Sequence, residues 1–517
     1  MAVRESFNRF VAYLASYSIE LADIAPDMRV EGGDDTPRIV GVPVIEGLTT
    51  LDFSNRKITK RLPLPLGLEC EAILCAGTLI SGVDNLPEGL QRLVVSKNRR
   101  FKRWPDALPQ SIEVLDLSST ALTAVGLCPE RLQVLDCSLS EVATMAVLPP
   151  LLTELRCRAN HLTALPELPN SLELLDVRSN PIATLPPLPA SLRTLDWDTT
   201  LDAPVDVPTL PPGLTDLRWS HTGPAAGVLE LPSSLQKLSI RLTERIELPS
   251  RLVSLSLQLA DGMAVPALPS SIEDLWYSGT APLPPSLPSA LKTLRCGRNG
   301  LTELPPLPPS LTTLFCVKNE LTSLPELPSG LEVLWCAENR LTDLPELPDS
   351  IVELNCEDNE LTRLPELPVS LRDFRCNDNK LTVLPRLDRW WDDVDTAGGY
   401  EIDQGLRWIS CQHNRLVSVP TLPRGLDTLR CQHNEITQMP PIPIGTTVLN
   451  CSHNRLTSLT DLPAKLAELY CNNNRELAVI DTYQSEPFDR LHKSNATNTA
   501  LDEPTSKRLR SWRVRVD

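Results

Sequence analysis

Cysteine and histidine are the residue types here whose spacing invites chemistry, and both recur with a period of twenty residues. Twelve of the fourteen cysteines (Cys75, Cys137, Cys157, Cys296, Cys316, Cys336, Cys356, Cys376, Cys411, Cys431, Cys451 and Cys471) fall at one position of that period, and Cys70 and Cys128 lie within the same array. A structural zinc site needs thiolates converging as a tetrahedron, commonly from CxxC pairs. No CxxC pair is present, and equivalent positions on successive parallel strands make a row rather than a shell. The cysteines therefore read as small buried hydrophobes in a reducing compartment. His413, His433 and His453 recur in the same manner. They should stack about 5 Å apart on successive strands, as a proton or metal acceptor or as a polar turn edge. Asp393, Asp395, Gly398 and Glu401 hint at calcium, but Ala397 and Gln404 stand where oxygen ligands are required. No GxxxxGK[ST], GxSxG or HExxH spacing occurs. The expectation is no catalytic residue, no metal ligand and no cofactor.

The elements that carry these residues follow from the period. From Leu291 the chain reads LKTLRCGRNGLTELPPLPPS, LTTLFCVKNELTSLPELPSG, LEVLWCAENRLTDLPELPDS, IVELNCEDNELTRLPELPVS and LRDFRCNDNKLTVLPRLD, so the unit is LxxLxCxxNxLTxLPxLPxx. Units begin at 48, 70, 90, 112, 132, 152, 172, 192, 214, 235, 252, 272, 291, 311, 331, 351, 371, 406, 426, 446 and 466. In LxxLxC the alternation of one strand turns positions four and six inward and positions three, five and seven outward. The asparagine at position nine (Asn160, Asn180, Asn299, Asn319, Asn339, Asn359, Asn379, Asn414, Asn434, Asn454 and Asn474) can bond the backbone of its turn and of its neighbour, forming a ladder. LPxLP then returns the chain in an extended, polyproline-like path, because proline fixes φ and lacks an amide donor. One unit buries only a few leucines, each worth about 1.5–3 kcal/mol, against about 1–2 kcal/mol of backbone entropy per ordered residue, so no unit folds alone. The predicted fold is a leucine-rich-repeat solenoid: a curved parallel β-sheet on the concave side, an extended, polyproline-like convex side, and a short N-terminal helical cap.

Composition narrows the function. The chain has 517 residues, 49 of them proline, with 41% hydrophobic but only 4% aromatic residues. That suits a thin leucine core and opposes helical or Rossmann-like enzymes. Its net charge of −17 argues against nucleic-acid binding by the solenoid. No apolar run reaches the roughly 18–20 residues of a membrane span, and residues 10–17 make a poor signal peptide. Three domains are expected. Residues 1–47 form the cap or a secretion region, with an amphipathic stretch at 6–24 whose apolar set is Phe7, Phe10, Val11, Leu14, Ile19 and Leu21. Residues 48–480 form the solenoid, with an irregular stretch at 192–290 and an insertion at 388–405. Residues 481–517 form a tail that is basic at its end through Lys507, Arg508, Arg510, Arg513 and Arg515. In the irregular stretch Trp197, Trp219, Ile240, Leu257 and Tyr277 replace cysteine. It reads as drifted repeats or as a bend between two regular segments.

The twenty-residue unit with LTxLPxLP resembles the short-repeat leucine-rich-repeat effectors that Gram-negative pathogens inject by type III secretion, the YopM and IpaH-type proteins. The resemblance covers residues 48–480. It implies a scaffold that binds a host protein and, in the IpaH-type branch, a separate thioester-forming ubiquitin-ligase domain of about 300 residues. Only 37 residues follow the repeats and none is cysteine, so the expectation is a non-enzymatic scaffold without that domain. The alternatives are a ligase relative that recruits a ligase or kinase in trans and an unsecreted bacterial scaffold. The corresponding locations are a host cytoplasm, with the nucleus reached if the basic tail is a localisation signal, and the bacterial cytoplasm.

A partner protein should bind on the concave face. Position five presents Trp276, Arg295, Phe315, Trp335, Asn355 and Arg375, with Arg298 and Lys318 beside them at position eight. Tryptophan, phenylalanine and arginine are the types that dominate interface energetics. Trp276, Arg295, Phe315, Trp335 and Arg375 are the first candidate site, against a reading as scattered surface residues. Trp390 and Trp391, with Tyr400, form a second in the insertion. Earlier units present Asp116, Asp136, Asp176 and Asp196 at position five, interrupted by Arg156. That acidic row could steer a basic partner or be a solvated charged face.

Overall fold

In a computed structural model, residues 2–17, 19, 29–31, 38–40, 43–45, 48–66, 68–105, 107–198, 205–220, 225–226, 229–387, 405–482, 493–497 and 499 are described. Each repeat places a short strand at positions three to five, as in Val333–Trp335, where the central leucine is buried and its neighbours face outward. Successive strands pair parallel and in register, each shifted by one repeat. The chain divides into two compact units, Met1–Leu252 and Val253–Asp517. In the first, the sheet runs from Leu48–Asp52 through Ala72–Leu74 and Val114–Asp116 to Lys237–Leu242. In the second it runs from Ser254–Leu259 through Thr313–Phe315 and Asp373–Arg375 to Glu468–Tyr470. Each is a parallel-strand solenoid in which, among the described residues, no repeat carries an α-helix; the prolines return the chain in extended form.

The asparagine ladder explains how one repeat holds the next. Asn339 Nδ2 donates to the carbonyls of Cys316 and Cys336, both at 3.0 Å, while its Oδ1 accepts from Leu321 N at 3.1 Å. Asn98, Thr78 and Thr120 occupy the same position in earlier repeats, and Thr78 and Thr120 retain only part of the pattern by donating to Cys75 O and Leu117 O. A second row comes from serine at position twenty: Ser350 Oγ donates to Leu331 O at 2.6 Å and Ser370 Oγ to Ile351 O at 2.6 Å. Position eight turns the chain with φ between 51° and 64° from Arg298 to Asn473. That left-handed region is tolerated by Asp, Asn and His better than by branched residues.

Three details differ from the sequence expectation. The helix is Ala2–Ala15 and ends well before residue 24, closed by Ile19 N donating to Leu14 O at 3.2 Å. It buries Phe10, Leu14 and, beyond its end, Ile19, whereas Val11 is exposed; Phe7 and Leu21 lie outside the described side chains. Phe10 packs edge-on against Phe53, which fills the cysteine position of the first repeat, at 6.2 Å. In the irregular stretch the strands lengthen to five or six residues, as in Thr194–Asp198 and Ser254–Leu259. Among the described residues, Leu242, Leu259 and Gly279 at position eight lack positive φ, and their strands run on where regular repeats turn. Trp197 and Trp219 are buried edge to face at 5.0 Å. Finally, Lys493–Asn495 pairs parallel with Glu468–Tyr470, adding a strand within the segment expected to be tail. Ala496, fully buried, takes the cysteine position, and Thr499 Oγ1 donates to Ala496 O at 2.9 Å in place of an asparagine.

Candidate functional site

Every strand in the Val253–Asp517 unit projects its fifth position outward, so register alone decides which of these side chains meet. Trp276 pairs with Arg295, Arg295 with Phe315, Phe315 with Trp335, Trp335 with Asn355 and Asn355 with Arg375. The Arg295 guanidinium lies 5.4 Å from the centre of the Phe315 ring, and Phe315 meets Trp335 edge to face at 5.0 Å. Trp276 is 60% exposed, a large apolar ring left uncovered at the start of the row. Asn355 is buried, so it separates the aromatic cluster from Arg375 rather than joining them.

Arg375 belongs to a second cluster, which the position-five reading did not reach. Its Nε and Nη2 donate to Asp373 at 3.0 and 2.9 Å, and this bidentate bond, more than the neighbouring carboxylates, raises its pKa. The same guanidinium lies 5.9 Å from the Trp408 ring, and Arg430 lies 5.0 Å from it. Trp408 is therefore flanked by two cations, a stacking worth about 0.5–2 kcal/mol per pair. It stands at position three of the repeat after the insertion, and reading positions three and five together would have found it. From Trp276 to Arg430 the row crosses eight strands, roughly 34 Å at strand spacing. Trp390, Trp391 and Tyr400 lie outside the described residues, as do the acidic residues of the insertion and the basic tail.

The acidic row of the Met1–Leu252 unit is more compensated than its sequence implies. Arg178 clamps Asp176 through two bonds of 2.9 and 2.6 Å and reaches Asp196 at 3.3 Å. Burial raises the Asp136 and Asp196 carboxyls above their usual range, offset in part for Asp196 by Arg178.

The cysteines and histidines settle into the rows their spacing implied. All fourteen thiols are free, and thirteen are buried. Burial pushes Cys296, Cys356, Cys411 and Cys451 up to about 12, which leaves them protonated and poorly nucleophilic at neutral pH. His413, His433 and His453 stack face to face, 4.3 and 4.0 Å between ring centres and tilted by 15° and 16°. Parallel rings direct their nitrogens side by side rather than at a common point, and among the described residues no group of three His, Cys, Asp or Glu could hold a metal. His453 Nε2 is bonded to Asn473, and Asp378 lies 3.9 Å from His413.

Burial, then the charges of His453 and His413, lower the pKa of His433. Its folded pKa lies below the ordinary 6.5, so its stabilising contribution is complete above 6.5 and declines as pH falls through 6.5 toward the folded value. The expected result is a small drop in the urea midpoint of the wild type between pH 7.5 and pH 5.5. That drop should be reduced in His433→Asn, which also suits the left-handed backbone at φ 54°. An equal drop in both proteins would remove His433 as its source.

No protein-family model matches the sequence, and comparison with curated protein sequences likewise gives no match. Among solved structures, the chain is similar to YopM from Yersinia enterocolitica WA-314, with 27% identity over 86% of this chain and 91% of that one and a TM-score of 0.60. YopM from Yersinia pestis, a leucine-rich effector protein, is 23% identical over 83% of this chain and 88% of that one, with a TM-score of 0.35. The chain has the leucine-rich-repeat solenoid fold, similar to that of YopM.

Proposed function

We propose that this protein is a non-enzymatic interaction scaffold, a type III secreted bacterial effector that docks a host protein on the outward, concave face of its parallel sheet. The observation that carries this reading is the row from Trp276 through Arg295, Phe315 and Trp335 to Arg375, Trp408 and Arg430. Aromatic and arginine side chains stand there on paired strands, held in place by one another. Preformed aromatic and arginine anchors are the groups that carry binding energy in protein interfaces, because little conformational entropy remains to be lost. The effector assignment is supported by the LTxLPxLP unit and by the similarity to Yersinia YopM over most of both chains. Protonated, buried thiols supply no nucleophile for a thioester step.

The test is capture from host-cell lysate by the intact chain, compared with Trp335→Asp/Arg375→Glu and with Trp408→Ala. A partner bound on this row should be lost from the double variant and weakened by about tenfold or more in Trp408→Ala, the effect of removing an interface anchor. Undiminished capture by both variants would move the site off the row. A translocation reporter fused to the chain tests delivery separately; no reporter signal in host cells would leave an unsecreted bacterial scaffold.

A further inference from the structure

We infer that the Met1–Leu252 unit carries a second binding site, a cationic cleft that takes a short acidic peptide segment. Arg99, Lys102 and Arg103 line a cleft of about 980 Å³ together with the position-eight turn residues Ser119, Leu139 and Ala159. The three cations come from one turn segment, KNRRFKR, in a repeat that runs 22 residues from Leu90 to Ser111 instead of the usual 20. Asn98 and Phe101 are buried and anchor the segment, while Arg99, Lys102 and Arg103 are exposed. Three cations lining one cleft repel one another, and an anion bound among them relieves that repulsion.

These cations differ from the arginines of the unit that are clamped by carboxylates. Elsewhere in the same unit Arg61 bonds Asp84, Arg156 bonds Glu154 and Arg178 bonds Asp176. Arg99, Lys102 and Arg103 have no carboxylate partner among the described residues. Glu141 also lines the cleft and offsets one of the three charges, leaving it cationic overall. The Thr120 and Ser140 hydroxyls are engaged with each other at 3.1 Å, but those of Ser119 and Thr123, also on the cleft, have no partner among the described residues and can donate to a carboxylate.

Size and field together select the ligand. The cleft crosses the repeats that begin at 90, 112, 132 and 152, about 14 Å at strand spacing, which matches about four extended residues. Exposed Leu139 offers an apolar contact that a bare inorganic anion would not use. A chain of net charge −17 repels a long polyanion. At physiological ionic strength, however, charges beyond about 8–10 Å are screened, so a short acidic segment senses mainly the local cations.

The experiment is fluorescence anisotropy of fluorescein-labelled hexaglutamate with the full chain, beside its hexaglutamine counterpart, inorganic phosphate and an oligothymidine as competitors. Hexaglutamate should bind saturably and hexaglutamine should not, and affinity should fall as ionic strength rises from about 0.05 to about 0.3 M. Arg99→Gln/Lys102→Gln/Arg103→Gln should weaken binding by about tenfold or more, since it removes the whole local charge. The control Arg340→Gln/Arg363→Gln/Lys380→Gln removes the same net charge from the other unit and should change affinity less than about twofold. All three cleft residues are exposed, so an unchanged thermal melt is expected to accompany the loss. The inference is overturned by absence of saturable hexaglutamate binding, by equal losses in the two triple variants, or by oligothymidine or phosphate displacing the peptide at lower concentration than unlabelled hexaglutamate does.

Discussion

Between pH 9 and pH 10.5 the Val253–Asp517 unit is expected to unfold without denaturant, and a variant carrying Cys316→Val, Cys336→Val, Cys356→Val and Cys376→Val is expected to survive to higher pH. Nine cysteines in this unit are buried. Burial raises every one of them above the ordinary thiol value of 9.0, Cys296, Cys356, Cys411 and Cys451 to about 12. A group whose folded pKa is raised stabilises the fold fully below its unfolded pKa and loses that contribution as pH climbs toward the folded value. The window therefore opens at pH 9, and each thiol that ionises only on unfolding costs about 1.4 kcal/mol per further pH unit. At pH 10 nine such thiols together oppose folding by on the order of 12 kcal/mol, comparable to the whole stability of an ordinary domain, about 5–15 kcal/mol.

Valine is the right replacement because the fold already accepts it: Val95 and Val177 occupy the cysteine position and are fully buried. Circular dichroism against pH, with the released thiolates followed by their ultraviolet absorbance, reads the transition. The four substitutions should restore about half of the loss at pH 10, roughly 6 kcal/mol. Tyr277, the other buried acid among the described residues of this unit, has an ordinary value of 10.0 raised by burial and adds to the effect only above pH 10. An alkaline midpoint identical in the two proteins would show that the thiols do not control it.

The cysteine row was legible because a buried position repeated many times leaves a visible period, whatever the residue that fills it. The same holds for the asparagine, which must satisfy two carbonyls and one amide and so tolerates few substitutes. Positions that face solvent carry no such demand. Trp408 was missed for that reason, and because it stands at position three of its repeat rather than at position five. The strand Lys493–Asn495 escaped because its repeat keeps the geometry with other residues: Ser494 in the place of leucine, Ala496 for cysteine and Thr499 for asparagine. Arg99, Lys102 and Arg103 lie in a repeat of unusual length, and their significance depends on which carboxylates are absent around them. That is a property of folding, not of the segment. The helix end at Ala15 likewise depended on a local closing bond rather than on the apolar pattern, which continues beyond it.

Substituting Asn359 tests the ladder itself, and the closest isostere is expected to do the most damage. Asn359 is buried, accepts from Leu341 N at 3.0 Å, and donates to Cys336 O at 3.1 Å, Cys356 O at 3.2 Å and Glu357 O at 3.1 Å. Asn359→Asp preserves the shape and the acceptor but sets an oxygen against three carbonyl oxygens, so the carboxylate must either repel them or take up a proton. The expected cost at pH 7 is roughly 3–5 kcal/mol, the penalty for an uncompensated buried charge, and it should shrink as pH falls and the acid becomes a donor. Asn359→Ala leaves the Leu341 amide without its acceptor, while the Cys336 carbonyl keeps the bond from Asn339 Nδ2, so the cost is about 1–3 kcal/mol for one buried group that water does not reach. Asn359→Thr should be the mildest, since Thr78 and Thr120 already show a hydroxyl reaching the position-six carbonyl of its own repeat. The order of urea midpoints, Asn above Thr above Ala above Asp, with faster hydrogen exchange of the Leu341 amide in Ala, which removes its acceptor, is the expected result. If Asp were tolerated as well as Thr at pH 7, the donor half of the ladder would carry no weight, and adjacent repeats would be held by leucine packing and strand pairing alone.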